Sequence, residues 1–251
     1  MSVRKFAKAA LTFGWSLAGM RKSSLGSRIL MYHSVESSVD RDPTGNYTVP
    51  LTDFKAQMIW LKNESGLKIV ASNAELVDGS VVLTFDDGYV SYFNYALPVL
   101  EELDIPSTIF VTTGFIGKSD NKQFLNESQI SFLSRNSNTC IGSHSVSHPF
   151  LGKCTRKEIE RELADSKRFL EDICGNAIES LAYPNGSFSA LVTEITRAAG
   201  YRLAFSSRIA AVYADDDRYS LPRTCIYKAD GLDGFKARIY GHHDWHGLLF
   251  R

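Results

Sequence analysis

This 251-residue chain has few cysteines, no formal net charge and no low-complexity sequence. The four cysteines are widely spaced and form no C-x-x-C pair, which argues against a zinc ribbon and a dense disulfide framework. Lysine plus arginine number 28, as do aspartate plus glutamate, so the formal net charge is zero and we expect no nucleic-acid partner. No repeat or long linker divides the chain. These absences leave a globular protein with one substantial core.

A long hydrophobic run is also missing, and one apolar stretch at the start of the chain needs separate treatment. Three basic residues precede a mostly apolar segment, 9–20, which ends against a basic pair. The segment is too short to favour a transmembrane helix, and a signal peptide is the alternative interpretation. Apolar residues at helical spacing favour an uncleaved amphipathic helix within residues 1–26, with peripheral membrane contact through residues 1–22. A cytoplasmic or membrane-peripheral location is therefore slightly favoured over export.

Short apolar runs alternate with helical patterns throughout residues 27–251, which we predict to form one domain. Such alternation indicates βαβ units, a parallel sheet and helices outside it. Six or seven units would close into a barrel, and periodicity leaves a flat doubly wound sheet as the alternative. The predicted strands are Arg28–Tyr32, Val81–Phe85, Ser107–Val111, Thr139–Gly142, Ser180–Ala182, Leu203–Ser206 and Leu221–Cys225. The predicted helices are Thr52–Asn63, Tyr92–Leu103, Thr155–Ile173, Ala190–Ala199 and Gly234–Tyr240.

Two adjacent carboxylates, Asp86 and Asp87, follow the apolar run 81–85 and precede Gly88. A short run of this kind suits a strand buried on both faces of a parallel sheet. The aspartates would then lie at the carboxyl end of that strand, where active sites of open sheets and barrels are found. An Asp-Asp-Gly sequence alone is equally typical of a polar turn. The interpretation therefore depends on what else reaches the same edge.

His144 and His148 follow another predicted strand, at the same predicted edge. Their i, i+4 spacing places both rings on one side of the segment. Two imidazoles and an aspartate form a ligand set for a divalent metal ion, most favourably zinc, with cobalt or nickel as alternatives. One aspartate would then hold the ion while the other takes a proton from water whose pKa the ion lowers. The sequence alone does not say which aspartate has which role.

Three motifs together resemble the polysaccharide deacetylase family, also called the NodB-homology family or carbohydrate esterase family 4. They are Thr84-Phe-Asp-Asp-Gly88, His144-Ser-Val-Ser-His148 and Ala182-Tyr-Pro-Asn-Gly186, and the resemblance runs from about Ile29 to Arg223. It implies a distorted, incomplete (β/α) barrel of six to seven parallel strands. It also implies metal-dependent hydrolysis of N-acetyl groups from the amino sugars of a glycan. Within that resemblance Asp86 is the base, and Asp87, His144 and His148 hold the metal.

The third motif departs from the family pattern at two positions. Ala182 stands where an arginine is usual, and Asn185 stands where a tyrosine is usual. The backbone N–H of Asn185 can still donate to an oxyanion, because that role needs no particular side chain. Arg223 resembles an arginine found late in family members that lack the earlier one. We therefore expect Arg223 to orient Asp86, although an ordinary surface arginine is the alternative.

The general acid is also expected at an unusual position, because the late histidines show no convincing match to the C-terminal pattern in which many family members have this residue. His242, His243 and His246 lie in a segment typical of an exposed tail. His33, in contrast, ends the apolar run Ile29-Leu-Met-Tyr-His33. That run resembles a segment of the poly-N-acetylglucosamine deacetylase branch, in which an early histidine is the acid. We expect His33 to be the acid, the alternative being a core histidine bonded to backbone.

Two other functions remain open at this stage. A catalytically impaired homologue would bind glycan without turnover, which the altered third motif suggests. A two-histidine, one-carboxylate iron oxygenase would use the same ligands, but those enzymes are generally built on antiparallel sheets. The identity of the glycan, whether polymer, lipid-linked or nucleotide-linked, and the oligomeric state are not encoded in any motif of the chain.

Overall fold

The computed structural model describes residues 26–36, 45–74, 77–117 and 123–244. The predicted N-terminal amphipathic helix and His246 lie outside these ranges, so the predicted membrane contact and location stay predictions. Within the described ranges, no helix has both the length and the apolar character needed to cross a bilayer.

One parallel sheet organises the described residues. The strands are β1 (Arg28–Tyr32), β2 (Ser34–Glu36), β3 (Thr48–Pro50), β4 (Lys68–Ile69), β5 (Ser80–Phe85), β6 (Ser107–Val111), β7 (Thr139–Ser143), β8 (Ser180–Ala182), β9 (Leu203–Phe205) and β10 (Thr224–Cys225). In the main sheet the strand order is β10-β1-β5-β6-β7-β8-β9, with β4 beside β5, and a separate parallel pair joins β2 to β3. Each predicted strand is present, although the last, predicted as Leu221–Cys225, is a strand only over Thr224–Cys225, and β2, β3 and β4 are additional.

The two outer strands of this sheet are joined by one short segment of chain. Leu221 exchanges backbone hydrogen bonds with the end of β9, accepting from Ser206 at 2.8 Å and donating to Ala204 at 3.0 Å. Three residues later, Thr224 pairs with Leu30 of β1. The segment 221–225 therefore crosses from one edge of the sheet to the other. The predicted incomplete barrel is confirmed, and the flat sheet is excluded because its edges would remain apart.

Helices pack on the outside of the barrel. They are α1 (Leu51–Asn63), α2 (Leu97–Glu102), α3 (Glu127–Leu133), α4 (Arg156–Cys174), α5 (Ala190–Ala198) and α6 (Gly231–Ile239). The start of α4 is confirmed by reciprocal hydrogen bonds between Thr155 and Glu158. Residues 92–96, predicted as ordinary helix, form a π-helical turn before α2. Helix α3 was missed, although Asn126 and Gln129 form the same type of cap there.

Side chains alternate between the barrel interior and the helix layer, as parallel strands require. Val82 packs inside the barrel with Phe110 and Phe205, whereas Leu83 and Phe85 belong to the larger core under the helices. The same alternation continues beyond Val82 through Thr84 to Asp86. It therefore directs Asp86 towards the mouth of the barrel at the carboxyl ends of the strands.

Candidate active site

An open cavity of about 420 Å³ lies at the carboxyl edge of the barrel. Its wall includes every site residue predicted from the sequence: His33, Asp86, Asp87, His144, His148, Asn185 and Arg223. These residues come from separate parts of the chain, and the barrel topology brings them to one place. A cavity of this volume accommodates a small organic molecule rather than only a single ion.

Asp86 and Arg223 form a bidentate ion pair at the floor of this cavity. The two guanidinium Nη atoms donate to the two carboxylate oxygens, each at 2.7 Å. Arg223 also donates from Nε to the Ser206 carbonyl at 2.9 Å, and from Nη1 to the Thr84 hydroxyl at 3.1 Å. Only 1% of Arg223 is exposed, and 3% of Asp86. The expected partnership is therefore present in the structure, with the fork geometry that fixes a carboxylate plane.

This ion pair keeps Asp86 ionised. Burial by itself would raise the pKa of the carboxyl, because an ionised group loses its hydration there. The Arg223 guanidinium outweighs burial and lowers the pKa of Asp86 from 3.8 to about 2. Each carboxylate oxygen gives one lone pair to Arg223 and retains another. Asp86 can therefore be an acceptor for a proton at neutral pH.

Asp87, His144 and His148 bring three potential ligand atoms within 4.8 Å of one another. The Asp87 Oδ1 atom is 3.5 Å from Nε2 of His144 and 3.4 Å from Nε2 of His148. Two ligands bound to a tetrahedral zinc ion at ordinary distances are about 3.3 Å apart. The donor set and its spacing therefore fit a divalent metal ion.

The protonation of His144 supports the same conclusion. Its Nδ1 atom lies 2.8 Å from the Ala182 carbonyl, which can only accept, so Nδ1 carries the proton. The Nε2 lone pair then points to the cluster, the arrangement typical of metal-binding histidines. Burial lowers the pKa of His144 to about 3, which keeps the ring neutral, and burial also lowers the pKa of His148.

Asp87 behaves differently from its neighbour. Burial raises the pKa of Asp87 to about 6, and the adjacent Asp86 carboxylate adds to the rise. The nearby His33 acts in the opposite direction. A cation beside Asp87 would favour its ionised form, because the charge of a bound ion is the strongest in such a site. The adjacent aspartates thus have clearly different environments.

The site is also where backbone strain is concentrated. Five described residues other than glycine have positive φ, and four of them lie in the three motifs: Asp87 (72°), Ser145 (65°), His148 (59°) and Asn185 (56°). Residues in this region cost of order 1–3 kcal/mol unless the surroundings hold them there. Asparagine and aspartate tolerate it best, which suits Asn185 to its turn. The loops that carry the three motifs are therefore held in this backbone conformation by tertiary contacts rather than by the conformational preference of their own residues.

His33 lies at the end of β1, in the cavity wall. Its ring is 4.6 Å from that of Tyr47, and its Nδ1 atom is buried without a hydrogen-bond partner in the described chain. His242 and His243 lie elsewhere, just before Asp244, whose carboxylate forms an ion pair with Arg28 at 2.8 Å. Because Arg28 begins β1, this pair is at the opposite end of the barrel from His33.

Ala182 contributes backbone rather than a side chain. Its methyl group is fully buried with Phe205, and its carbonyl holds His144. Asn185 is exposed in the turn Pro184–Gly186 at the cavity wall. The arginine that pairs with Asp86 in the structure is Arg223, from the segment that joins β9 to β10.

One buried residue close to the site was missed. Glu162 of α4 is 3% exposed and accepts hydrogen bonds from the loop between the two histidines. Its sequence context, a charged position in an amphipathic helix, is typical of a solvated face. No signal in the sequence distinguishes it from the exposed glutamates of the same helix.

The fold and site define the class of this protein as an α/β-barrel hydrolase, with a buried ion-paired aspartate and a metal-type ligand set at the carboxyl edge of its strands. Residues 73–204 match the family model for polysaccharide deacetylase, and the chain belongs to that family. The resemblance inferred from the three motifs is therefore confirmed.

Two relatives and one solved structure to which the chain is similar carry names from the same family or activity. The Bacillus subtilis protein YxkH, which carries a provisional polysaccharide deacetylase name, is 28% identical over 84% of this chain and 75% of its own. A Staphylococcus aureus poly-β-1,6-N-acetyl-D-glucosamine N-deacetylase is 23% identical over 90% of this chain and 81% of its own. The structure of the Streptococcus pyogenes deacetylase PplD in complex with acetate has 25% identity and a TM-score of 0.76, covering 86% of this chain and 99% of that one.

Proposed function

We propose that the protein is a metal-dependent deacetylase that hydrolyses N-acetyl groups on the N-acetylhexosamine units of a polysaccharide or oligosaccharide. The observation that carries the proposal is the ionised Asp86, fixed by Arg223, beside the ligand set Asp87, His144 and His148. The name of the Staphylococcus aureus relative favours a β-1,6-linked N-acetylglucosamine polymer among the glycans that contain this unit.

Asp87, His144 and His148 would hold the metal ion. A divalent ion such as zinc, cobalt or nickel lowers the pKa of water and polarises an amide carbonyl. The protein contributes the neutral imidazole of His144, whose Nδ1 proton is committed to Ala182. It also contributes the left-handed turn that places His148 beside Asp87.

Asp86 would accept the proton of the attacking water. Its Oδ2 atom is 4.0 Å from Nε2 of His144, so this oxygen faces the ligand cluster. Arg223 fixes the carboxylate plane and keeps it ionised, which gives Arg223 a positioning role. The backbone N–H of Asn185, at the cavity wall, would donate to the oxyanion that forms as water adds to the carbonyl carbon.

His33 would protonate the leaving amine, a step that hydrolysis of an amide requires. It occupies the cavity wall at the end of β1, and its ring contacts that of Tyr47 at a tilted angle of 45°. Both ring nitrogens of a protonated histidine are donors, so His33 can deliver a proton while the amide C–N bond breaks. The amino sugar then leaves as its free amine, and acetate retains the oxygen of water.

The test is hydrolysis of β-1,6-linked N-acetylglucosamine oligomers, followed by mass spectrometry for the loss of acetyl groups. We expect deacetylation by the metal-loaded protein, loss of activity after chelation and recovery on adding zinc or cobalt. Binding of the oligomers without any release of acetate would favour the impaired glycan-binding alternative. Activity that persists in protein shown to contain no metal would contradict metal dependence.

The iron oxygenase alternative has no support in the described fold. Iron oxygenases of this kind generally use antiparallel sheets, whereas every strand pairing in the main sheet of this protein is parallel. The same two-histidine, one-carboxylate set instead lies at a parallel barrel's carboxyl edge, where hydrolytic sites of such barrels are built.

A His33→Ala variant is expected to lose about 10²–10⁴-fold in kcat, because the leaving amine is no longer protonated. Metal content should remain that of the parent protein, since His33 is not among the ligands. The matched control is His243→Ala, which lies at the opposite end of the barrel and should keep the parent rate. Unchanged kcat in the first variant with abolished kcat in the second would overturn the assignment.

A further inference from the structure

A carboxylate outside the cavity holds the loop that carries both histidines. Glu162 of α4 accepts backbone hydrogen bonds at Oε2 from Val146 at 2.9 Å and from Ser147 at 2.8 Å. Its Oε1 atom accepts from the Ser147 hydroxyl at 2.7 Å. Three donors thus converge on one buried side chain, and all belong to the two residues midway between His144 and His148.

A second contact from α4 supports the same loop one helical turn later. Ser166 shares a 2.6 Å hydrogen bond with Ser143, whose hydroxyl also accepts from the backbone N–H of Ser145 at 3.2 Å. The Ser145 hydroxyl in turn accepts from the backbone N–H of His148 at 3.1 Å. Positions 162 and 166 lie on one face of α4, so this face presents a continuous set of partners to the loop.

The loop needs such support because two of its residues are in an unfavourable conformation. Ser145 and His148 have φ values of 65° and 59°, in the left-handed region that most residues avoid. Without the three bonds to Glu162 the segment would relax towards ordinary φ values. His148 would then move away from Asp87, to which its Nε2 atom is now 3.4 Å distant.

We propose that Glu162 is a positioning residue that sets the affinity of the metal site by holding the His144–His148 loop in its ligating conformation. This inference rests on the proposed function, because it assumes that Asp87, His144 and His148 bind a divalent ion. Glu162 touches neither ion nor substrate. It acts entirely through the backbone and hydroxyl donors of the loop.

Hydrogen-bond acceptors are required at this position. The backbone N–H groups of Val146 and Ser147 can only donate, so they need the lone pairs that the Glu162 carboxylate offers. Glu162→Leu removes every acceptor from this position while keeping a side chain of comparable size. Changes to the partners that orient metal ligands typically cost about 10–100-fold in metal affinity, and we expect a loss in that range.

The experiment measures zinc affinity of the metal-free full chain by competition with a chromophoric chelator. Its companion is the thermal unfolding midpoint of the metal-free protein. Glu162→Leu should bind zinc about 10–100-fold more weakly, and its kcat should recover at saturating metal. The matched control is Glu160→Leu on the exposed face of α4, which should bind zinc like the parent. Ser147→Ala removes one of the three bonds and should weaken binding by a smaller factor.

The possible outcomes distinguish failure of the role proposed for Glu162 from failure of the proposed function. Parental zinc affinity in a folded Glu162→Leu protein, with only the unfolding midpoint lowered, would show a structural role and overturn the proposal. If Glu162→Leu does not fold, parental zinc affinity in Ser147→Ala would overturn it instead. Failure of the unmodified protein to bind zinc, cobalt or nickel would overturn the proposed function itself.

Discussion

An Asp86→Asn variant is expected to retain its metal and to lose deacetylation by about 10²–10⁴-fold in kcat. Asparagine keeps the size of the side chain but cannot accept a proton from water. The ligand atoms belong to Asp87, His144 and His148, so metal binding should survive the change. The measurements are kcat on N-acetylglucosamine oligomers and the metal content of the purified variant.

Asp87→Asn is the natural comparison, because it changes the neighbouring residue in the same chemical way. It should lose both metal and activity, since Oδ1 of Asp87 is the carboxylate atom that lies close to the Nε2 atoms of both His144 and His148. Added zinc should restore part of the activity of Asp87→Asn and none of that of Asp86→Asn. If Asp86→Asn instead lost the metal while Asp87→Asn kept it, the two roles would have to be exchanged.

An Arg223→Met variant is expected to lose both stability and activity. Arg223 and Asp86 are almost fully buried, so removing the arginine leaves a carboxylate without its bidentate partner inside the barrel. Breaking a buried ion pair by removing one partner typically costs about 3–5 kcal/mol of unfolding free energy. Activity should fall as well, because Asp86 loses the bidentate partner that fixes its orientation and lowers its pKa.

The pH dependence of this variant follows from the direction of the pKa shift. In the parent protein the pKa of Asp86 is lowered from 3.8 to about 2, so its ion pair stabilises the fold above pH 4. That stabilisation is lost as the pH falls through the interval between those two values. In Arg223→Met the lowering by the guanidinium is removed while burial still raises the pKa, so the pKa of Asp86 should rise from its value in the parent protein. The acid limb of the pH–rate profile should then move to higher pH, and the stability deficit should shrink as the pH is lowered.

Urea unfolding and pH–rate profiles would test both statements. Arg218→Met is a suitable control, because Arg218 lies five residues earlier and is exposed. It should match the parent protein in both measurements. A parental unfolding midpoint and a parental acid limb in Arg223→Met would together show that Arg223 neither supports the fold nor sets the protonation of Asp86.

Strands and metal-type ligands are the features most accessible from the sequence. Buried parallel strands are short apolar runs, and polar residues directly after such runs must meet at the carboxyl edge. Asp86, Asp87, His144 and His148 can therefore be grouped from the order of residues alone. Arg223 and His33 need the family resemblance, because their place beside Asp86 depends on strand order, which periodicity does not encode.

Other features depend on tertiary contacts that local patterns do not reveal. The crossing of segment 221–225 from β9 to β1 appears only when both edges of the sheet are in place. Glu162 looks like a solvated residue until the histidine loop covers it. The π-helical turn at 92–96 is a local departure from a pattern that correctly indicated helix. Helix α3 is short, and its cap at Asn126 was the one usable signal.

The segment that joins the barrel edges also contains Arg223. Formation of the Arg223–Asp86 ion pair therefore depends on when this segment docks during folding. Asp86 and Arg223 are separated by 137 positions, whereas Asp87 and the two histidines lie within the middle of the chain. A nascent chain emerges from its N-terminal side, and contacts between distant residues form late because closing a long loop is entropically costly. The three proposed metal ligands can therefore come together before Asp86 has its counter-ion. Under the proposed mechanism the base would be complete only when β10 docks, so an incompletely folded chain would bind metal without catalysing hydrolysis.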